Sequence, residues 1–179
     1  MATTQTETAP EPTSTFGELH FHRLLVAVDG SQTADLALSA AVTAARRDHA
    51  AITLLAVVPD ILLESRRWIP GGPGAPDPRA LQEEADAEAQ RLLRQTVERI
   101  PGDIPVTTVI RHGKPGPEIV AQARERDYDG ILLGARGVGR VGALVGSVSG
   151  YVLRHAGTSV FVAHAPASAA ARVAPAGTV

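Results

Sequence analysis

Gly130-Ile-Leu-Leu-Gly134-Ala-Arg-Gly137-Val-Gly-Arg-Val-Gly-Ala-Leu-Val-Gly146-Ser147-Val-Ser149-Gly-Tyr-Val-Leu-Arg-His155 is the stretch on which the reading of this chain turns. It begins with a short apolar run bounded by glycines, the pattern of a buried strand. It ends with Val148, Tyr151, Val152 and His155 at i, i+3, i+4 and i+7, which places them on one helical face. His155 is therefore expected to pack rather than react. Between the two lies a glycine-rich loop. Strand, glycine loop and helix N-terminus together suit a phosphate. Glycines let the main chain approach an anion, and the first N–H groups of a helix have no partner within it. Ser147 and Ser149 add hydroxyl donors.

Outward from this stretch, strand-like and helical patterns alternate along the chain. Arg23–Asp29 is an apolar run ending in an acid, followed by a turn at Asp29-Gly30-Ser31 with Ser31 or Thr33 as N-cap. Leu38, Ala41, Val42 and Ala45 then mark a first helix. Ile52–Val58 reads as a second strand. The segment from Pro59 to Arg79 carries prolines at 59, 70, 73, 76 and 78 and is expected to be irregular. Ala85, Ala89, Leu93, Val97 and Ile100 mark the next helix, with Glu83, Glu84, Asp86 and Glu88 as its solvated charges. Pro105–Ile110 predicts a third strand, Pro117–Arg126 a short helix with Ile119, Val120 and Ala123 inward, and Thr158–Ala163 a fifth strand.

Such alternation predicts an α/β fold, a doubly wound open parallel five-stranded sheet covered by helices on both faces. The near-continuous apolar strands agree with it. Ligands of these sheets sit outside the carboxyl ends of the strands, where strand order reverses. One domain is expected over 21–165. Residues 1–20, rich in Thr, Glu, Pro and Ala, and the Ala/Pro-rich 166–179 are expected to be loose tails.

Composition narrows the function. The chain has 179 residues, 44% hydrophobic and 20% charged, with a net charge of −2. That balance gives no electrostatic case for nucleic acid or an anionic membrane. With no cysteine there is no disulfide, thiolate catalysis or thiolate metal ligand. No apolar run reaches the roughly 20 residues of a membrane span, and the N-terminus lacks the apolar core of a secretory signal, so a cytoplasmic protein is expected. Lys114 is the only lysine. Its setting, His112-Gly-Lys-Pro-Gly, is not a P-loop, and it is assigned no chemistry. His20 and His22 are two apart, a weak metal hint, but they read more readily as the edge of the tail, and no metal ligand is assigned. Arg66-Arg67-Trp68 reads as a loop packing anchor more readily than as a lid. The few aromatic residues argue against a stacked flavin.

Taken together, Ala27-Val28-Asp29, Gly134-x2-Gly137 and Gly146-Ser147 resemble the universal stress protein family in its ATP-binding branch, over about Leu24 to Ala163. The resemblance implies strand order 3-2-1-4-5. It also implies the nucleotide signature G-x2-G-x9-G-[ST]. Here the spacer Val138–Val145 has eight residues, and Gly139 and Gly142 give the loop freedom to absorb the deletion. By resemblance, Ala27, Val28 and Asp29 face the adenosine, and the Val57 main chain reads the adenine edge. Leu133 and Gly134 flank the ribose and first phosphate, and Arg136, Gly137, Gly146, Ser147, Val148 and Ser149 surround the triphosphate. Asp29 also suits a plain turn-capping role, compatible with the first. The family implies ATP with Mg²⁺ as ligand, a homodimer through the last strand, and a protein partner that the sequence does not identify. No water-activating group stands near the loop, since Asp29 would sit at the nucleoside end. A regulatory stress-response module is therefore expected. The alternatives are a slow ATPase or self-phosphorylating protein using Ser147 or Ser149, and a family member that works through partner contacts without nucleotide.

Overall fold

The computed structural model describes residues 19–65, 77–135 and 146–164. Strand β1 (Arg23–Ala27) buries Leu24, Leu25 and Val26 completely, and it forms the centre of the sheet. Strand β2 (Ala51–Val58) pairs along one side of β1 and β4 (Gly130–Gly134) along the other. The edges are β3 (Val106–His112), beside β2, and β5 (Ser159–Ala163), beside β4. All pairings are parallel and the order is β3-β2-β1-β4-β5. The direction of winding thus reverses between β1 and β4.

Two helical layers cover the sheet. Helices α1 (Gln32–Asp48) and α3 (Pro78–Glu98) bury Leu38, Ala41, Ala89 and Leu93 against Leu24, Val26, Ile52 and Leu54. Helices α4 (Pro115–Glu125) and α5 (Ser147–His155) bury Ile119, Val120, Ala123 and Val152 against Leu25, Leu55, Ile131 and Leu133. Alternate residues of each central strand serve opposite layers, which is why these strands read as continuous apolar runs.

Helix starts follow local chemistry. Gly30 takes φ 75°, and the Ser31 hydroxyl accepts from the Ala34 N–H at 3.2 Å, so Ser31 rather than Thr33 caps α1. Asp77 caps α3, with Pro78 at its first position, where the missing N–H costs nothing.

The structure corrects three expectations. The segment after Pro59 is not wholly irregular. Asp60–Ser65 is free of proline, and α2 (Ile61–Ser65) forms there. The Asp60 carboxylate accepts from the Leu63 N–H at 2.9 Å, and the Gln82 side chain accepts from the Ile61 N–H at 2.8 Å. Asp86 is not merely a solvated charge, because it accepts from His112 at 2.7 Å and from Gln82 at 3.1 Å. Burial opposes its ionisation, but these bonds outweigh it and hold the carboxyl below its ordinary value. His155 is exposed, and its ring stacks on Tyr151 at 4.1 Å. The inward face of α5 is the narrower set Ser149, Gly150 and Val152. His20 and His22, assigned no metal, lie beside separate acids, Asp48 and Asp129. Arg66-Arg67-Trp68 and both expected tails beyond 19 and 164 lie outside the described residues.

Candidate functional site

A cleft of about 270 Å³ opens at the carboxyl edge of the sheet where the winding reverses. The end of β1 supplies Ala27, Val28 and Asp29, and β2 supplies Leu55 and Val57. The end of β4 supplies Leu133 and Gly134. Gly146, Ser147, Val148 and Ser149 form the start of α5, and Pro115 and Ile119 come from α4. The fold thus gathers candidates that stand more than 100 residues apart in the sequence. Arg136 and Gly137 lie outside the described residues.

The floor of the cleft is apolar because it is the edge of the α4/α5 core: Leu55, Ile119 and Leu133 are all buried there. Its rim is polar and partly main-chain. The last β1–β2 partners are Ala27 and Leu55, and the Val28 N–H then donates to the Leu55 carbonyl at 2.9 Å. Alternate residues of a parallel strand turn both main-chain groups toward the same neighbour. Val57 therefore turns its N–H and C=O toward the opening left where β1 bends away. Val58 turns toward β3 instead, and its carbonyl accepts from the Gly113 N–H at 2.8 Å. Val57 accordingly offers one donor and one acceptor at the mouth of an apolar slot.

At the other end stands the α5 N-terminus. Its N-cap is Gly146, which has no side chain to satisfy the first N–H groups, and the first turn carries no acid. Ser147 is exposed, so its hydroxyl and these N–H groups are available to an anion. Ser149 differs. It is 1% exposed, and its hydroxyl donates to the Gly146 carbonyl at 3.2 Å. Asp29 has a turn role as well, since its carboxylate accepts from the Ser31 N–H at 2.9 Å. Gly134 is glycine for a reason beyond the cleft: a Cβ there would stand 2.6 Å from the Ala34 nitrogen, inside the first turn of α1.

Leu55, Pro115 and Ile119 escaped the sequence reading as site residues. Leu55 shares the strand face of Val57, which is a usable signal. Pro115 and Ile119 are invisible without knowing that α4 packs beside α5.

Comparison with known proteins agrees with this architecture. The sequence profile described as the universal stress protein family matches residues 20–164. The chain belongs to the universal stress protein family. Universal stress protein YxiE of Bacillus subtilis (strain 168) is 29% identical over 133 residues, 72% of this chain and 89% of the relative. Universal stress protein UspA from Lactobacillus plantarum superposes with TM-score 0.67 at 30% identity, over 82% of this chain and 99% of that one. A universal stress protein from Archaeoglobus fulgidus, solved in complex with dAMP, shares the fold at TM-score 0.56 and 23% identity, over 82% of this chain and 99% of that one. In this universal stress protein the five-stranded order is thus a family property, and the cleft occupies its switch point. Among the described residues, no helix is long and apolar enough to cross a membrane.

Proposed function

We propose that the cleft binds an adenine nucleotide, ATP with Mg²⁺, and that the protein works as a cytoplasmic homodimer whose nucleotide occupancy is read by a protein partner. The observation that carries this reading is the composition of the cleft. One apolar slot bears a main-chain donor and acceptor at Val57 and, across the opening, an uncapped helix N-terminus with an exposed serine. A flat, mostly apolar ring with a polar edge suits the first, and a phosphate suits the second. The Archaeoglobus protein's dAMP complex is consistent with a nucleotide on this fold. Within this reading Asp29 faces the sugar, Leu133 and Gly134 flank it, and Gly146, Ser147, Val148 and Ser149 line the phosphate end with Arg136 and Gly137. Mg²⁺ would neutralise phosphate charge.

Calorimetric titration of ligand-free protein with Mg-ATP, AMP and cyclic AMP tests it. Saturable Mg-ATP binding that Gly137→Val abolishes and Ser147→Ala weakens is the expected result. Absence of heat for every adenine nucleotide would overturn it and leave a family member that acts through partner contacts. A second reading, slow hydrolysis or self-phosphorylation, draws on one observation: Ser147 presents an exposed hydroxyl at the cleft, whereas that of Ser149 is buried and engaged. Label retained from γ-labelled ATP in wild type and lost in Ser147→Ala would select it.

A further inference from the structure

A second cavity, about 620 Å³, lies on the same face of the sheet but on the other flank of α4. Its floor carries hydroxyls. Thr53 of β2 and Thr107 of β3 are register partners and stand side by side, and Tyr128 closes the end. Thr53 is only 9% exposed, yet among the described residues its hydroxyl has no hydrogen-bond partner. The strand alternation that sends Leu55 and Val57 toward the α4/α5 layer sends Thr53 there too, so this oxygen faces the cavity. Among the described residues no fully enclosed side-chain oxygen lacks a partner, so this one is accessible from the cavity and open to a group placed there.

Tyr128 is in the same position. Its oxygen accepts from the Gln122 amide at 3.4 Å, which leaves its own hydrogen free to donate. Gln122 is itself buried, and its carbonyl oxygen accepts from Arg111 at 3.1 Å. Charge completes the site. The cavity's acids, Glu118 and Glu125, are both bound to Arg111, at 2.7 and 2.8 Å. Arg23 and Arg126 line the same cavity, and among the described residues neither makes a close ion pair, although Arg126 lies near enough to Glu125 to favour its charged form. The Arg23 guanidinium lies over the Tyr128 ring, 5.2 Å from its centroid. The cavity thus presents hydroxyl donors and acceptors on its floor and, at its rim, three arginines against two glutamates.

We propose that this cavity is a separate binding site for a small hydroxylated anion of the polyol phosphate class. Thr53, Thr107 and Tyr128 read the hydroxyls, and Arg23 and Arg126 hold the anionic group. A guanidinium pairs with phosphate in a fixed planar geometry, which suits the second role. The site does not depend on the nucleotide reading, because no residue lines both clefts, and α4 gives Pro115 and Ile119 to the first and Glu118, Gln122 and Glu125 to the second.

The test is an amide NMR titration of the full chain with glycerol 3-phosphate, with glycerol and inorganic phosphate as comparison probes. The expected result is saturable shifts at Thr53, Thr107, Gln122 and Tyr128, stronger for glycerol 3-phosphate than for either comparison probe. Arg23→Gln should weaken binding about tenfold or more. Thr53→Val should weaken it too, without lowering the thermal unfolding midpoint, since that hydroxyl has no protein partner to lose. Absence of saturable shifts at these amides in the millimolar range would overturn the proposal. So would shifts confined to the first turn of α5, unchanged affinity in both variants, or a Thr53→Val protein that is less stable than wild type.

Discussion

At Gly134 a methyl group would stand 2.6 Å from the Ala34 nitrogen and 2.7 Å from the Thr33 carbonyl carbon. Both obstacles are main chain, so no rotamer change relieves them. Gly134→Ala should therefore cost about 1–3 kcal/mol or more, as overpacking does, in a denaturant unfolding titration. A loss below half a kcal/mol would mean that α1 yields freely. The sequence marks Gly134 as necessary without revealing this reason, because the obstacle lies about a hundred residues earlier in the chain. The difference between Ser147 and Ser149 was equally hidden. Both are serines two apart, and only the turn of the helix decides which hydroxyl is exposed. Asp48 shows the same dependence on tertiary contacts. Its carboxylate accepts from Arg47 at 2.7 Å and from the Phe21 N–H at 3.0 Å. The Arg47 bond is the largest cause holding its carboxyl pKa well below the ordinary carboxylate range. A depressed native pKa adds stability that is complete above the unfolded value and is lost as pH falls through the native one. Asp48→Asn should thus lower stability at neutral pH and flatten its acid dependence below about pH 4, measured as unfolding midpoint against pH. An unchanged profile would remove Asp48 from the account.

Helices and strands show how far periodicity carries. The strands and the long helices were legible because each buries one regular face or, for central strands, two. What failed was local. A proline count across Pro59–Arg79 obscured the proline-free Asp60–Ser65, where α2 forms on a side-chain cap. The i+7 position of His155 overstated the buried width of α5. Contact between α4 and α5 is tighter than either pattern implied. A Cβ on Gly116 would meet the Tyr151 Cβ at 3.0 Å and its ring at 2.9 Å. The ring can turn but the Cβ cannot, so α5 must move as a body. Gly116→Ala should therefore weaken nucleotide binding through the displaced α5 N-terminus. It should cost less stability than Gly134→Ala, whose obstacles are fixed. Paired calorimetric and unfolding measurements on the two variants check the order.

For the whole molecule, alternation established a parallel sheet, but strand order came with the family resemblance. Periodicity does not say which strands are neighbours. The second cavity was illegible for the same reason, its residues being scattered over Arg23, Thr53, Thr107 and Tyr128 with no motif. The proposed dimer rests on β5. Ala163 accepts from the Ala135 N–H at 2.7 Å, so Ser159, Phe161 and Ala163 face β4 with their main chains. Val160 and Val162 then turn theirs outward, an unpaired edge of the kind that templates another strand. Val162→Pro removes one outward donor without touching the β4 ladder. Sedimentation should show the dimer shifted toward monomer with the helical circular dichroism retained. A dimer of unchanged strength would place the interface elsewhere. Nucleotide in hundredfold excess over its dissociation constant should add about 2.7 kcal/mol to wild-type stability, and nothing to a variant that cannot bind it.

Because every strand runs the same way, the two ends of the described chain leave from opposite edges of the sheet. Residues before Arg23 depart from the amino edge, while those after Ala163 depart from the edge that holds the first cleft. At about 3.3 Å per residue, β1 alone separates those edges by roughly 17 Å. A fusion partner, affinity handle or surface anchor joined directly at Leu19 would leave from the edge opposite the cleft. One joined directly at His164 would leave from the edge that holds the opening, at the end of β5. The fold therefore favours anchoring an immobilised assay through Leu19 over anchoring it through His164.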